Sequence, residues 1–152
     1  MSEKPGALAQ YVTFVVDDQL FGVPIGRVHD VFVPAAITRV PLAPPDVAGV
    51  LNLRGRVVTA VDMRRRLGLS ARPDATPAMA VGIEARGESF GFVIDGVGEV
   101  LALSPADLEN NPANLDARWA AVSAGVHRLD GRLMVLLDVD RVLRGLSETM
   151  AA

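Results

Sequence analysis

Phe21-Gly22-Val23-Pro24-Ile25-Gly26-Arg27-Val28-His29-Asp30-Val31 returns sixty-nine residues on as Phe90-Gly91-Phe92-Val93-Ile94-Asp95-Gly96-Val97-Gly98-Glu99-Val100. Phe, Gly, Ile, Val and Val recur at fixed places, and Asp30 is answered by Glu99. A second pair follows in the same order, seventy-six residues apart: Gly49-Val50-Leu51-Asn52-Leu53-Arg54-Gly55-Arg56 and Gly125-Val126-His127-Arg128-Leu129-Asp130-Gly131-Arg132. It continues through Asp62 and Asp138, Arg65 and Arg141, Leu67 and Leu143. Two matched blocks in one order mark a duplicated module. The approximate halves are 10–70 and 78–145 of a single domain over 1–152, with Ala71 to Pro77 as the linker, and duplicated lobes of this kind can exchange strands such as Val12 to Val16.

Each module reads as short strands. Val12, Phe14 and Val16 alternate with their neighbours, Asp17-Asp18-Gln19 makes a turn, and Leu20 to Val23 returns as a hairpin. Met79 to Ala85, Arg86-Gly87-Glu88 and Ser89 to Ile94 repeat it. A second hairpin turns at Arg54-Gly55 and recurs at Asp130-Gly131. Asp62 and Asp138 then cap short helices that Gly68 and Gly145 can end, and Ser104-Pro105 starts another. Short strands at regular spacing predict an all-β fold of two small barrels with a few short helices. Phe21, Phe90, Val61 and Leu137 are expected inside, with Leu53 and Leu129 in equivalent places.

The chain has 152 residues, a formal charge of −3, 50% hydrophobic residues and no cysteine. That length buries a core without disulfides. Thiolate metal sites and cysteine nucleophiles are excluded, and the mild acidity argues against a nucleic-acid surface. No run has the length of a signal peptide or membrane span, so a cytoplasmic protein is expected. Neither a cofactor nor a metal site is expected. His29 and His127 are the only histidines and lie far apart. Gly96-Val97-Gly98 lacks the third glycine of a dinucleotide loop. A hydrolase built on Ser123 and His127 is a remote alternative, because Ser123 sits in no nucleophile elbow.

Arg64-Arg65-Arg66 reads as a solvated helix face, with a basic patch as the lesser reading, and Trp119 reads as core filling. Arg54 is odd. A turn needs Gly55 but not the arginine, which stands where the second copy has Asp130. It is either a solubilising residue or a partner contact that uses its planar, multi-donor head.

These blocks carry a family resemblance. The first repeat block, Ile37-Thr38-Arg39-Val40-Pro41, Gly49 to Gly55 and Val61-Asp62-Met63-Arg64 resemble the CheW family of bacterial chemotaxis coupling proteins. Val93 to Leu101, Gly125-Val126 and Leu136 to Leu143 agree, so the resemblance covers roughly residues 10 to 145. It departs at Thr59, at Met63 and at His29-Asp30. The resemblance implies two intertwined SH3-like barrel lobes and a non-enzymatic adaptor that couples transmembrane chemoreceptors to a histidine kinase. A coupling protein of a related pathway, such as surface motility, would share these features.

The implied partners are the cytoplasmic tips of chemoreceptors and the kinase's homologous C-terminal domain. The place would be the cytoplasmic side of receptor arrays at the inner membrane, without insertion. Receptor contact in the family maps here onto Val28, Asp30, Val31, Arg54 and Val100. The kinase side is expected to use exposed apolar residues, with Leu20, Val33 and Leu42 as candidates.

Overall fold

The structure is a computed structural model and describes residues 7–70 and 78–151; the linker expected at Ala71 to Pro77 lies outside them. The first half supplies β1 (Ala9–Val16), β2 (Gln19–Pro24), β3 (Val28–Phe32), β4 (Val47–Leu53) and β5 (Arg56–Asp62). The second supplies β6 (Met79–Ala85), β7 (Glu88–Ile94), β8 (Gly96–Leu103), β9 (Ser123–Leu129) and β10 (Arg132–Leu137). Helices α1 (Met63–Arg66), α2 (Ala117–Ala120) and α3 (Val139–Ala151) are added. Three hairpin turns place two successive residues at positive φ: Asp17 and Asp18, Arg54 and Gly55, Arg86 and Gly87. That backbone suits the right-handed twist of the strands it joins.

The strands do not stay with their own half. One five-stranded sheet runs β8-β1-β2-β10-β9, and the other runs β3-β6-β7-β5-β4. Each sheet therefore joins the first hairpin of one half to the last three strands of the other. The join at the middle of each sheet is a parallel ladder in equivalent register, Val135 beside Phe21 in one sheet and Thr59 beside Phe90 in the other, and the antiparallel pairs β1–β8 and β3–β6 join the halves a second time. The glycines that open the second repeat block have a matching role. The segments before β4 and β9 cross over to bridge Val50 and Val126 through Thr38 and Glu109. Gly49 and Gly125 have φ of 147° and 140°, and a Cβ at either would collide with the crossing carbonyl oxygen.

Both faces of each sheet are buried in part. The main core lies between the sheets, where Phe14, Phe21 and Val23 meet Val61, Val81, Phe92 and Ile94. Trp119 meets Phe21 edge-on at 5.7 Å, which agrees with core filling. Phe32, Leu51, Val58 and Val93 fill the curl of the second sheet, and Tyr11, Leu20, Met134 and Leu136 fill that of the first. Phe21, Val61 and Leu137 are buried as expected, while Phe90 is only half-buried. Leu53 and Leu129 end equivalent strands, β4 and β9. Asp62 caps α1 and Asp138 accepts from Arg141 N, but α3 runs on through Gly145 to Ala151. The apolar face of α3 at Val142, Leu143 and Leu146 is buried in the main core, and this outweighs the modest cost of one helical glycine.

His127 breaks the symmetry. It occupies the place that Leu51 holds in the other sheet, is 2% exposed, and leaves its Nε2 without a hydrogen-bond partner. The Tyr11 ring lies 5.6 Å from the imidazole. Burial pushes its pKa below the ordinary 6.5, with Asp107 and Glu109 pulling weakly the other way. Between that lowered value and about 6.5 the folded chain binds fewer protons than the unfolded chain, so stability falls as pH drops through this window. His127→Leu is expected to raise stability by about 1 kcal/mol at neutral pH and to flatten the acid slope. Thermal melts between pH 7 and 5 check this, and an unchanged slope contradicts it.

Candidate functional site

Strand β3 is an edge of the second sheet, and a bulge between Val28 and Asp30 re-aims its side chains. Val28 is half-buried against the main core, and Val31 is 39% exposed. Asp30 lies opposite Gly82, where any Cβ would strike its carboxylate, so the glycine is what lets Asp30 lean over β6. There Asp30 Oδ2 meets Arg54 Nη1 at 3.3 Å. The Asp30 side chain is 25% exposed and that of Arg54 77%. Arg54 adopts φ 54°, a conformation that costs a non-glycine residue roughly 1 kcal/mol. Asn52 Oδ1 accepts from Gly55 N at 2.9 Å and holds the tip.

The pair stands at the mouth of the curled sheet. Beneath it is a cavity of about 190 Å³ with apolar walls that include Phe32, Leu53, Val58 and Phe90. Its polar lining comes from His29, Asp30, Arg54, Arg56 and Ser89, with Glu84 beside it. His29 Nε2 meets Glu84 at 3.0 Å, Arg56 lies 3.8 Å from Glu84, and Arg56 donates to Ser89 Oγ at 3.3 Å. A cleft with apolar walls, a polar rim and the exposed Arg54 guanidinium offers both apolar contact and a donor for a carboxylate or amide. Of the five residues expected at the receptor, Val28, Asp30 and Val31 share β3, and Arg54 reaches them from the β4–β5 tip. Val100 stands apart on β8, the edge of the other sheet, opposite Val12 and 51% exposed.

The apolar candidates divide. Leu42 is fully exposed, holds φ 66°, and follows Val33, which is 66% exposed. Leu20 is a correction: it is buried at 7% against Met134 and Leu136, because β2 is an inner strand with both faces covered. Val57, 66% exposed on β5, was missed; its place in an apolar run reads as core. The arginine run is also corrected. Arg64 is 12% exposed and bound to Asp95, and Arg66 donates to the carbonyls of Val142 and Arg141, while Arg65 is exposed. Ser123 and His127 form no dyad. The Ser123 hydroxyl is shared between Asn111 Oδ1 and the Gly125 backbone, and the imidazole Nε2 meets nothing.

The family model for the CheW-like domain matches residues 10–147. The chemotaxis protein CheW of Rhizobium meliloti is 30% identical over 133 residues, covering 88% of this chain and 86% of that protein. That of Helicobacter pylori is 27% identical over 135 residues, covering 89% and 81%. The crystal structure of the scaffolding protein TtCheW from Thermoanaerobacter tengcongensis has the same fold. It superposes with a TM-score of 0.77 at 24% identity, covering 90% of this chain and 88% of that one.

Exposure separates docking residues from core residues by experiment. Leu42→Glu is expected to change stability by no more than about 0.5 kcal/mol. Leu20→Glu buries an unpaired carboxylate and is expected to cost more than about 3 kcal/mol. Urea melts of the two variants check this, and equal losses contradict the division.

Proposed function

This chain belongs to the CheW-like domain family, and we propose that it is a non-enzymatic adaptor coupling chemoreceptor tips to a chemotaxis histidine kinase. The observation that carries the reading is Arg54. It holds an unfavourable backbone conformation, extends 77% of its side chain into solvent at the edge of a cleft, and meets Asp30 through one exposed contact of 3.3 Å. Such a residue contributes little to folding, whereas a planar cation beside an apolar cleft is well placed to meet a carboxylate or amide. Receptor tips are helical hairpins with apolar and polar faces. Val28, Asp30 and Val31 on β3, with Arg54, form one contact surface for them, and Val100 on β8 supplies a second. The kinase's homologous domain packs against exposed apolar residues, for which Val33 and Leu42 are the candidates and Val57 an addition. Among the described residues no helix is long and apolar enough to cross a membrane. The adaptor works in the cytoplasm at the receptor arrays.

Two substitutions with opposite signatures test this. Arg54→Ala is expected to weaken binding to the receptor tip by several-fold to about tenfold, the loss typical of a well-used interface arginine. It should leave binding to the kinase's homologous domain intact. Leu42→Glu should do the reverse. Titration calorimetry at physiological salt measures both. Wild-type protein that binds neither partner, or substitutions that weaken both equally, would overturn the proposal.

A further inference from the structure

Asp95 is the single residue between β7 of one sheet and β8 of the other, so it marks the point where the chain crosses the molecule. Its carboxylate is gripped from the side by Arg64 of α1. Arg64 Nε donates to Oδ1 at 2.9 Å and to Oδ2 at 3.2 Å, and Nη2 donates to Oδ2 at 2.7 Å. The same guanidinium donates to the Ser70 carbonyl at 3.2 Å and lies 3.8 Å from Asp17 in the β1–β2 turn. Asp17 N donates to Asp95 Oδ2 at 2.8 Å, and Asp95 N donates to the Val15 carbonyl at 3.0 Å. Only 12% of the Arg64 side chain and 14% of the Asp95 side chain are exposed. One side chain thus ties the helix leaving the second sheet to the first residues of the first sheet's edge strand.

The duplication provides an internal control. Seventy-six residues after Arg64 stands Asp140, in the first turn of α3, facing the other crossing from β2 to β3. Its partner there is Arg27, so the charges are reversed. The two are 3.8 Å apart with side chains 53% and 37% exposed. The same fold is therefore held at one crossing by a loose surface pair and at the other by a nearly buried fork. A forked, desolvated ion pair contributes direction more than net stability, since the cost of removing both charges from water offsets much of their attraction. What lies immediately downstream is β8, an outer strand of its sheet among the described residues, with Val97 and Val100 exposed.

We infer that Arg64 is a positioning residue for receptor recognition: by holding Asp95 it sets where β8 starts, and so where Val100 is presented. This rests on the reading that Val100 meets the receptor. At 12% exposure the Arg64 side chain has little surface of its own to offer a partner. Its planar head is what matters, because a lysine in its place keeps the charge but cannot hold two carboxylate oxygens in one fixed plane.

The test uses the full chain with Arg64→Lys and with the reciprocal pair Arg64→Asp, Asp95→Arg. Affinity for a receptor signalling-tip hairpin and for the kinase's homologous domain is measured alongside amide exchange of β8. Arg64→Lys is expected to lower tip affinity about tenfold and to leave kinase-domain affinity within about twofold. Exchange should speed up at the start of β8 and not elsewhere, and the reciprocal pair should recover part of the tip affinity. A merely structural role predicts instead that both affinities fall together with melting temperature. That result, or unchanged exchange in β8 with Arg64→Lys, overturns the inference. If wild-type protein binds no tip, the receptor reading fails and the inference with it, and this is seen before any substitution is made.

Discussion

Val135 runs beside Phe21 and Thr59 beside Phe90 in two short parallel ladders, and the rest of the structure depends on those contacts. A two-stranded hairpin is marginal alone in water, and each half of this chain contains two. The ladders add the first hairpin of one half to the last strands of the other, so each five-stranded sheet draws on both halves. The main core then forms between the sheets, with Phe14 and Phe21 of one facing Phe92 and Ile94 of the other. Pairings between residues so distant in sequence also imply slow folding, because loop closure must precede most of the stabilising contacts.

Departures from the duplication's symmetry are where the two lobes acquire different properties. Arg54 stands at a hairpin tip where the second half has Asp130, and leans from the mouth of one sheet. His127 replaces a leucine inside the other and leaves a buried nitrogen unpaired. Arg64 grips one crossing tightly, while Asp140 holds the other loosely. The edges of β4 and β9 each receive a bridge from the segment before them. Those of β3 and β8 receive no further strand among the described residues. The recognition residues proposed for the receptor fall on these two open edges and on the tip beside one of them.

Much of this was legible before any coordinates. The repeat blocks survive because their residues meet fixed backbone demands: Gly49 and Gly125 lie under a crossing carbonyl, and Asp62 caps a helix. The hairpins were legible because turn chemistry is local. That strands could exchange between the lobes was legible, but which strands do was not, since alternation shows that a segment is a strand without naming its neighbour. Leu20 misled for a related reason. Its strand lies inside the sheet and is covered on both faces, which nothing in its own stretch of sequence shows. The arginine run misled because a helix of one turn offers no amphipathic pattern, and Arg64's partner lies thirty-one residues away. Of the site, Asp30 and Arg54 emerged from the family resemblance and the odd turn residue. The cavity beside them depends on how tightly the sheet curls, which no local pattern encodes.

The exchanged hairpins are the central claim, and cutting the chain tests them directly. The two halves, divided between Ala71 and Pro77, would be produced separately and examined by circular dichroism and thermal melting, alone and mixed. Because each sheet needs strands from both fragments, neither should melt cooperatively alone. Mixed, they should form a one-to-one complex with the spectrum of the intact chain and a single melting transition. Two fragments that each fold and melt cooperatively alone, with nothing gained on mixing, would contradict the account.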